Sequence, residues 1–138
     1  MAFAGRLLGL AGLLPFLAAT AALWLRDDEA MLRVAMLYGA VILSFLGGIQ
    51  WGLALRGGTV GQLCWSVVPS LVGWGALLTG PQAAPLILGA GFVAAWAFEQ
   101  GRTVREALPS WFRPLRVLLT GVVVACMIAC ALWVAGRW

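Results

Sequence analysis

Histidine and lysine are both absent from the 138 residues, and aspartate plus glutamate number only five. Without histidine the chain lacks the usual general base near neutral pH and the commonest nitrogen ligand for haem or copper; without lysine, Schiff-base and Ser/Lys chemistry are also missing. Most enzyme classes are excluded on that ground. Charge of either sign is scarce. Charged residues make up 10% of the chain and apolar ones 63%, whereas ordinary soluble domains carry about 25% charged residues. A fold solvated by water on all sides is therefore excluded, and lipid is the expected solvent.

Uncharged runs mark the expected crossings. Leu7 to Leu25, Val34 to Leu55 and Val117 to Gly136 are each long enough to cross about 30 Å of hydrocarbon as a helix. Between Arg56 and Glu99 lie 42 uncharged residues, interrupted by Gly80-Pro81-Gln82-Ala83-Ala84-Pro85. Prolines without backbone donors and a glycine favour a reversal there, so the stretch divides into spans over about Val60–Thr79 and Ala84–Phe98. The chain, 1–138, reads as a single all-α membrane domain, a bundle of five transmembrane helices with short loops. The first apolar run exceeds a usual signal-peptide core, so an uncleaved helix is expected.

Arginine placement predicts the orientation. Arg6, Arg56, Arg102, Arg105, Arg113 and Arg116 fall on the amino-terminal face, against Arg26, Arg33 and Arg137 on the other. The positive-inside bias then places the amino terminus in the cytoplasm and the carboxy terminus in the periplasm. These topology-setting arginines account for the net charge of +4, so nucleic acid is not an expected partner. The lipid bilayer is. The loop Gln100 to Pro114 reads as an interfacial segment: Arg102 and Arg105 reach phosphates, and Trp111 and Phe112 suit the headgroup boundary. Trp24, Trp111 and Trp138 belong to the same aromatic belts, while Trp51, Trp65, Trp74, Trp96 and Trp133 are left for packing or a pocket.

No catalytic residue, metal site or cofactor is expected. Cys126 and Cys130 are four apart on one predicted helix and read as small buried apolar residues. Asp27, Asp28 and Glu29 precede the second span, where carboxylates cap a helix and favour its dipole. Glu99 is different, because it closes the fourth span on the arginine-rich face and a charge at that depth needs a partner. Gln50, Trp51, Arg56, Glu99, Gln100 and Arg116 are the candidate polar cluster, read either as a ligand pocket or as an ion pair pinning helices. Gly5, Gly9, Gly47, Gly48 and Gly52 are the candidate helix-packing positions, since small residues let backbones approach where lipid removes the hydrophobic drive. Gly57 and Gly61 share the same spacing. Pro69 is expected to kink the third span, with Ser66 and Ser70 beside it.

Four stretches carry a resemblance: Leu13-Leu14-Pro15-Phe16, the run YGAVILSFLGGIQWG from Tyr38 to Gly52, SVVPSLVGW from Ser66 to Trp74, and LPSWFRPLRVLLT from Leu108 to Thr120. Together they cover nearly the whole chain and resemble domain of unknown function 3429, a family of small membrane proteins with a mitochondrial member. The resemblance implies a multi-span protein, with a bacterial inner membrane as its setting. It supplies no catalytic residues, and the family more often carries aspartate near the Glu99 position.

The expected function is that of an integral inner-membrane protein without enzymatic activity, an accessory or assembly subunit packed against other membrane-protein subunits. The alternative is a small-molecule or lipid-binding membrane protein or carrier. Its cavity would lie near the cytoplasmic ends of helices two, four and five, among Pro69, Trp51, Trp74 and the Glu99 cluster.

Overall fold

The computed structural model describes residues 1–137; Trp138, expected at a membrane boundary, lies outside the described residues. All regular structure among those residues is helical. The first crossing is built from two helices, α1 (Ala2–Ala11) and α2 (Leu14–Leu25). Their junction follows from Pro15, which has no N–H to continue the ladder and stands in the first turn of α2. The Gly12 carbonyl beside the break accepts a 2.8 Å hydrogen bond from the Tyr38 hydroxyl, so the interruption costs little. The second crossing is one helix, α3 (Glu29–Leu55), whose amino terminus is capped by Asp28 through the Ala30 N–H at 3.1 Å.

The third crossing is again interrupted. α4 (Val60–Ser66) ends at Val67 and α5 (Val68–Leu77) begins with Pro69 in its first turn. Proline removes a backbone bond to the preceding turn, and the break falls just before it. α6 (Ala84–Glu99) has 16 residues, which span about 24 Å as a helix. The turn before it, where the Ala83 and Ala84 N–H groups both bond to the Gly80 carbonyl at 3.1 Å, adds further length. A short α7 (Arg102–Ala107) lies in the Gln100–Pro114 connection, and α8 (Phe112–Ala135) completes the chain. Among the described residues, Ala2–Leu25, Glu29–Leu55, Val60–Leu77 and Phe112–Ala135 are long and apolar enough to cross a membrane. With the shorter α6 they form the five-helix bundle.

Charges did not end the helices where uncharged runs suggested. α1 starts at Ala2 rather than Leu7, α3 at Glu29 rather than Val34, and α8 at Phe112 rather than Val117. Arg6, Arg33 and Arg113 are exposed within those turns, where a long side chain reaches interfacial water without breaking the backbone ladder. Pro114, expected to limit the helix, is accommodated as the third residue of α8, a position that needs no intrahelical donor.

α3 is the central element and packs against α2, α4, α5 and α6, while α8 packs on α6, α2 and α1. Phe16, Leu23, Leu43, Leu88, Phe92, Met127 and Cys130 are fully buried among them. The Phe16 ring meets Tyr38 at 4.8 Å and Phe92 at 6.1 Å, both edge to face. Closest approach occurs where α3 meets the third crossing: a Cβ on Gly47 would collide with the Ser66 carbonyl, and one on Gly73 would stand 3.1 Å from the Ala40 carbonyl. Large apolar side chains such as Val41, Phe45, Leu71, Trp74 and Leu132 point outward, as expected where the surroundings are acyl chains. At the acidic end, Asp27 pairs with Arg137, whose guanidinium lies 4.0 Å over the Trp133 ring. At the arginine-rich end, Gly5 of α1 abuts Trp111.

Candidate functional site

Glu99 is the last residue of α6, and Arg116 lies in the second turn of α8. The α7 connection returns the chain so that the two side chains meet inside the bundle. Arg116 Nε donates to both carboxylate oxygens, at 3.1 Å to Oε1 and 2.9 Å to Oε2, with side-chain exposures of 6% and 3%. A buried pair of this kind is electrically neutral, and its desolvation is offset only by good geometry and full hydrogen bonding. Here the bonding is incomplete. Because the carboxylate sits on Nε alone, the Arg116 Nη2 group is buried without a partner.

Three of the other candidate cluster residues, Gln50, Trp51 and Arg56, go elsewhere. Gln50 is buried but turns to α4, where its Oε1 accepts from Gln62 Nε2 at 3.2 Å. Trp51, one residue further and so about 100° around the helix, is exposed to the surroundings. Arg56 is exposed at the end of α3, and Gln100 is exposed with its Nε2 bonded to the Trp96 carbonyl at 3.1 Å. Glu99 and Arg116 are brought into contact, and Gln100 lines the same small space beside them. Trp74 and Trp51 face outward and Pro69 packs near Gly47, so those residues do not converge on the Glu99 pair. The glycines divide too: Gly5, Gly9 and Gly47 have neighbours at packing distance, whereas a Cβ on Gly48 or Gly52 would meet nothing within 4 Å. Gly57 adopts a positive φ of 97° in the turn after α3.

A cavity of about 320 Å³ lies elsewhere, between α1, α3 and α8. Gly5, Leu8 and Gly9 form one wall, Phe45, Leu46 and Ile49 a second, and Leu115, Leu119 and Val123 a third, with Phe16 and Phe92 at its base and Trp111 at the arginine-rich end. Two polar residues line it, Arg116 and Thr120. They stand four apart on α8 and so share one face. The Thr120 hydroxyl, like Arg116 Nη2, is buried with no hydrogen-bond partner. Thr120 carried no signal in the sequence, except its i+4 relation to an intramembrane arginine. On its other side Arg116 borders a smaller space of about 170 Å³, shared with Glu99, Arg105 and Arg113. Arg113 Nη2 is held there by the Arg105 carbonyl at 2.9 Å.

Metal ligation has little to draw on. Cys126 and Cys130 are buried free thiols, with Thr20 Oγ1 at 4.0 Å from Cys130 Sγ. Among the described residues no group of three or more His, Cys, Asp or Glu side chains converges. The cavity beside Arg116 is an apolar enclosure.

The family described as "Protein of unknown function (DUF3429)" matches residues 1–132. Among curated proteins, Transmembrane protein 69 of Xenopus tropicalis is 38% identical over 130 residues, covering 85% of this chain and 49% of that protein. Transmembrane protein 69 of Mus musculus is 31% identical over 122 residues, covering 80% and 48%. The chain thus spans about half the length of the curated relatives it matches. No solved structure matches. A match over nearly the full length, on a helical bundle of membrane-spanning type, places this chain in the DUF3429 family.

Proposed function

We propose that this protein is a membrane-embedded binding protein, without catalytic activity of its own, that holds a lipid or other amphiphilic small molecule between α1, α3 and α8. One observation carries this reading: an apolar cavity of about 320 Å³ whose lining includes Arg116 and Thr120, two residues that each hold a buried polar atom with no partner in the protein. Empty apolar cavities occur in folded proteins, but orphaned buried donors are rare and costly. The volume falls within the range of about 300–1,000 Å³ found for small-molecule pockets. Extraction in a mild detergent followed by native mass spectrometry tests the reading. A reproducible bound species is expected. It is to be lost when Leu119, on the cavity wall, is replaced by tryptophan, and an unchanged complement of bound species in Leu119→Trp would refute the assignment.

A second reading, an accessory or assembly subunit of a larger membrane complex, is favoured by Gly48 and Gly52. They lie one turn apart on α3 and are exposed, with no intrachain neighbour within 4 Å of an added Cβ. Close helix approach at small residues is how membrane helices associate. Replacing both with leucine is expected to abolish co-purification of a stoichiometric partner from the native membrane; retention of that partner would remove this support. For the setting, we propose a bacterial inner membrane with the amino terminus cytoplasmic, on the six-to-three arginine bias. Reporter fusions at the two ends check the orientation, and a cytoplasmic carboxy terminus would overturn it.

A further inference from the structure

The structure assigns a further binding site to the contact between α6 and α8: one anionic glycerophospholipid, its phosphate held by Arg105 and Arg113 and one acyl chain laid in the furrow between the two helices. This site does not depend on the binding reading above, because it lies on the other side of Arg116 and uses a different pair of helices.

The small space of about 170 Å³ beside Glu99 is lined by three arginines, Arg105, Arg113 and Arg116, against one carboxylate. Arg116 is paired with Glu99 at 2.9 Å, so two positive charges are left over. Arg105 and Arg113 are exposed, and among the described residues neither has a carboxylate partner; Glu106 turns to Arg102 at 3.3 Å instead. The bond from Arg113 Nη2 to the Arg105 carbonyl fixes the second guanidinium beside the first residue while engaging one of its nitrogens. Guanidinium groups match the geometry of phosphate oxygens, and basic pockets between membrane helices take anionic headgroups.

Further along the same two helices runs an apolar furrow of about 200 Å³, walled by Leu86, Gly89 and Val93 of α6 and by Val124 and Ile128 of α8. Helical register joins it to the arginines. Val117 lines the head space, and Val124 and Ile128 follow it by seven and eleven residues, which keeps all three on one face of α8. Gly121 lies between them on that face, exposed, with nothing within 4 Å of an added Cβ. On α6, Gln100 of the head space stands seven and eleven residues beyond Val93 and Gly89 of the furrow. Val93, Val117 and Ile128 are exposed, so the path opens to the bilayer. Eleven residues of helix rise about 16 Å, close to one leaflet of a hydrocarbon core about 30 Å thick. An acyl chain whose phosphate sits at Arg105 and Arg113 therefore ends beside Ile128, whereas a free phosphate would leave the furrow unused.

The test uses the full chain in mild detergent, native mass spectrometry with competition, and three probes: dioleoyl phosphatidylglycerol, dioleoyl phosphatidylcholine and inorganic phosphate. Phosphatidylglycerol is expected to bind more tightly than phosphatidylcholine of the same tails, and inorganic phosphate to compete weakly. Arg105→Gln combined with Arg113→Gln should weaken phosphatidylglycerol about 25-fold, about fivefold for each arginine. Arg6→Gln combined with Arg56→Gln removes the same charge from the same end and should leave that affinity unchanged. Ala90→Trp, which fills the furrow, should weaken both lipids. All five positions are exposed, so the unfolding midpoint in SDS should not move in any of these variants. Leu119→Trp, on the wall of the separate cavity, should keep the preference for phosphatidylglycerol; loss of the preference there would put the lipid in that cavity and overturn this site. Equal binding of the two lipids, or an equal loss in the Arg6 and Arg56 control, would overturn the headgroup assignment. Full competition by inorganic phosphate, with lipid binding unchanged in Ala90→Trp, would overturn the lipid and leave a site for free anions only.

Discussion

Removing one member of the Glu99–Arg116 pair should destabilise the bundle far more than removing both. Each side chain is nearly inaccessible, at 3% and 6% exposure. Glu99→Leu therefore strands a guanidinium, and Arg116→Met strands a carboxylate, where neither can be fully rehydrated. Breaking a buried pair in this way costs about 3–5 kcal/mol in soluble proteins. The lower end applies here, because Glu99 terminates α6 and Arg116 lies in the second turn of α8, so a released charge can retreat towards the headgroups. A loss of about 3 kcal/mol for each single variant corresponds to roughly a hundredfold fall in the folded-to-unfolded ratio. The double variant leaves no charge to strand and should fall within about 1 kcal/mol of wild type, a large departure from additivity. Titration with SDS in mixed micelles, followed by tryptophan emission, measures all four proteins. Trp65 is a well-placed reporter, stacked on Phe98 at 4.7 Å and so next to Glu99 in sequence. Two results would refute the reasoning: a Glu99→Leu midpoint equal to that of wild type, or a double variant as unstable as the sum of the singles.

Two further predictions concern α3. Gly47→Leu should destabilise the bundle by about 1–3 kcal/mol, because its first side-chain carbon meets the Ser66 backbone, which cannot move aside; Gly48→Leu should leave the SDS midpoint of the isolated protein unchanged. Equal sensitivity at the two positions would contradict the packing described. Ser44 and Ser70 join their hydroxyls at 2.7 Å between α3 and α5, so Ser70→Ala should cost about 1 kcal/mol in the same titration. No loss would mean that the bond contributes nothing net.

The number and order of crossings were legible because charge is so sparse: each long interval between charges has room for a helix, and Gly80 to Pro85 divides the one interval that is too long. Helix ends were less legible for the same reason. A charge marks a boundary only if its side chain cannot reach water or a partner, and Arg6 and Arg113 reach the exterior while Arg116 finds Glu99. Rotation about each helix axis was not legible at all. Gln50 and Trp51 are neighbours in sequence, yet one turns inward to Gln62 and the other outward. Gly47 and Gly48 part in the same way, one against Ser66 and one against open space. In a soluble helix a polar face separates such neighbours; on α3, apolar residues surround the whole helix, because core and lipid are both apolar.

That same uniformity explains why Thr120 and the cavity escaped the sequence reading, although Glu99 and Arg116 did not. A threonine in a membrane helix ordinarily bonds back to its own carbonyl ladder and needs no outside partner. Nothing in the letters around Thr120 distinguishes it from that case. Only the packed bundle leaves its hydroxyl unbonded, one helical turn from an arginine with a nitrogen that Glu99 does not reach. Selection for stability alone would favour valine at position 120 and an apolar pair at positions 99 and 116, which pack without stranded donors. A chain that instead keeps both donors unsatisfied is less stable than its own fold allows.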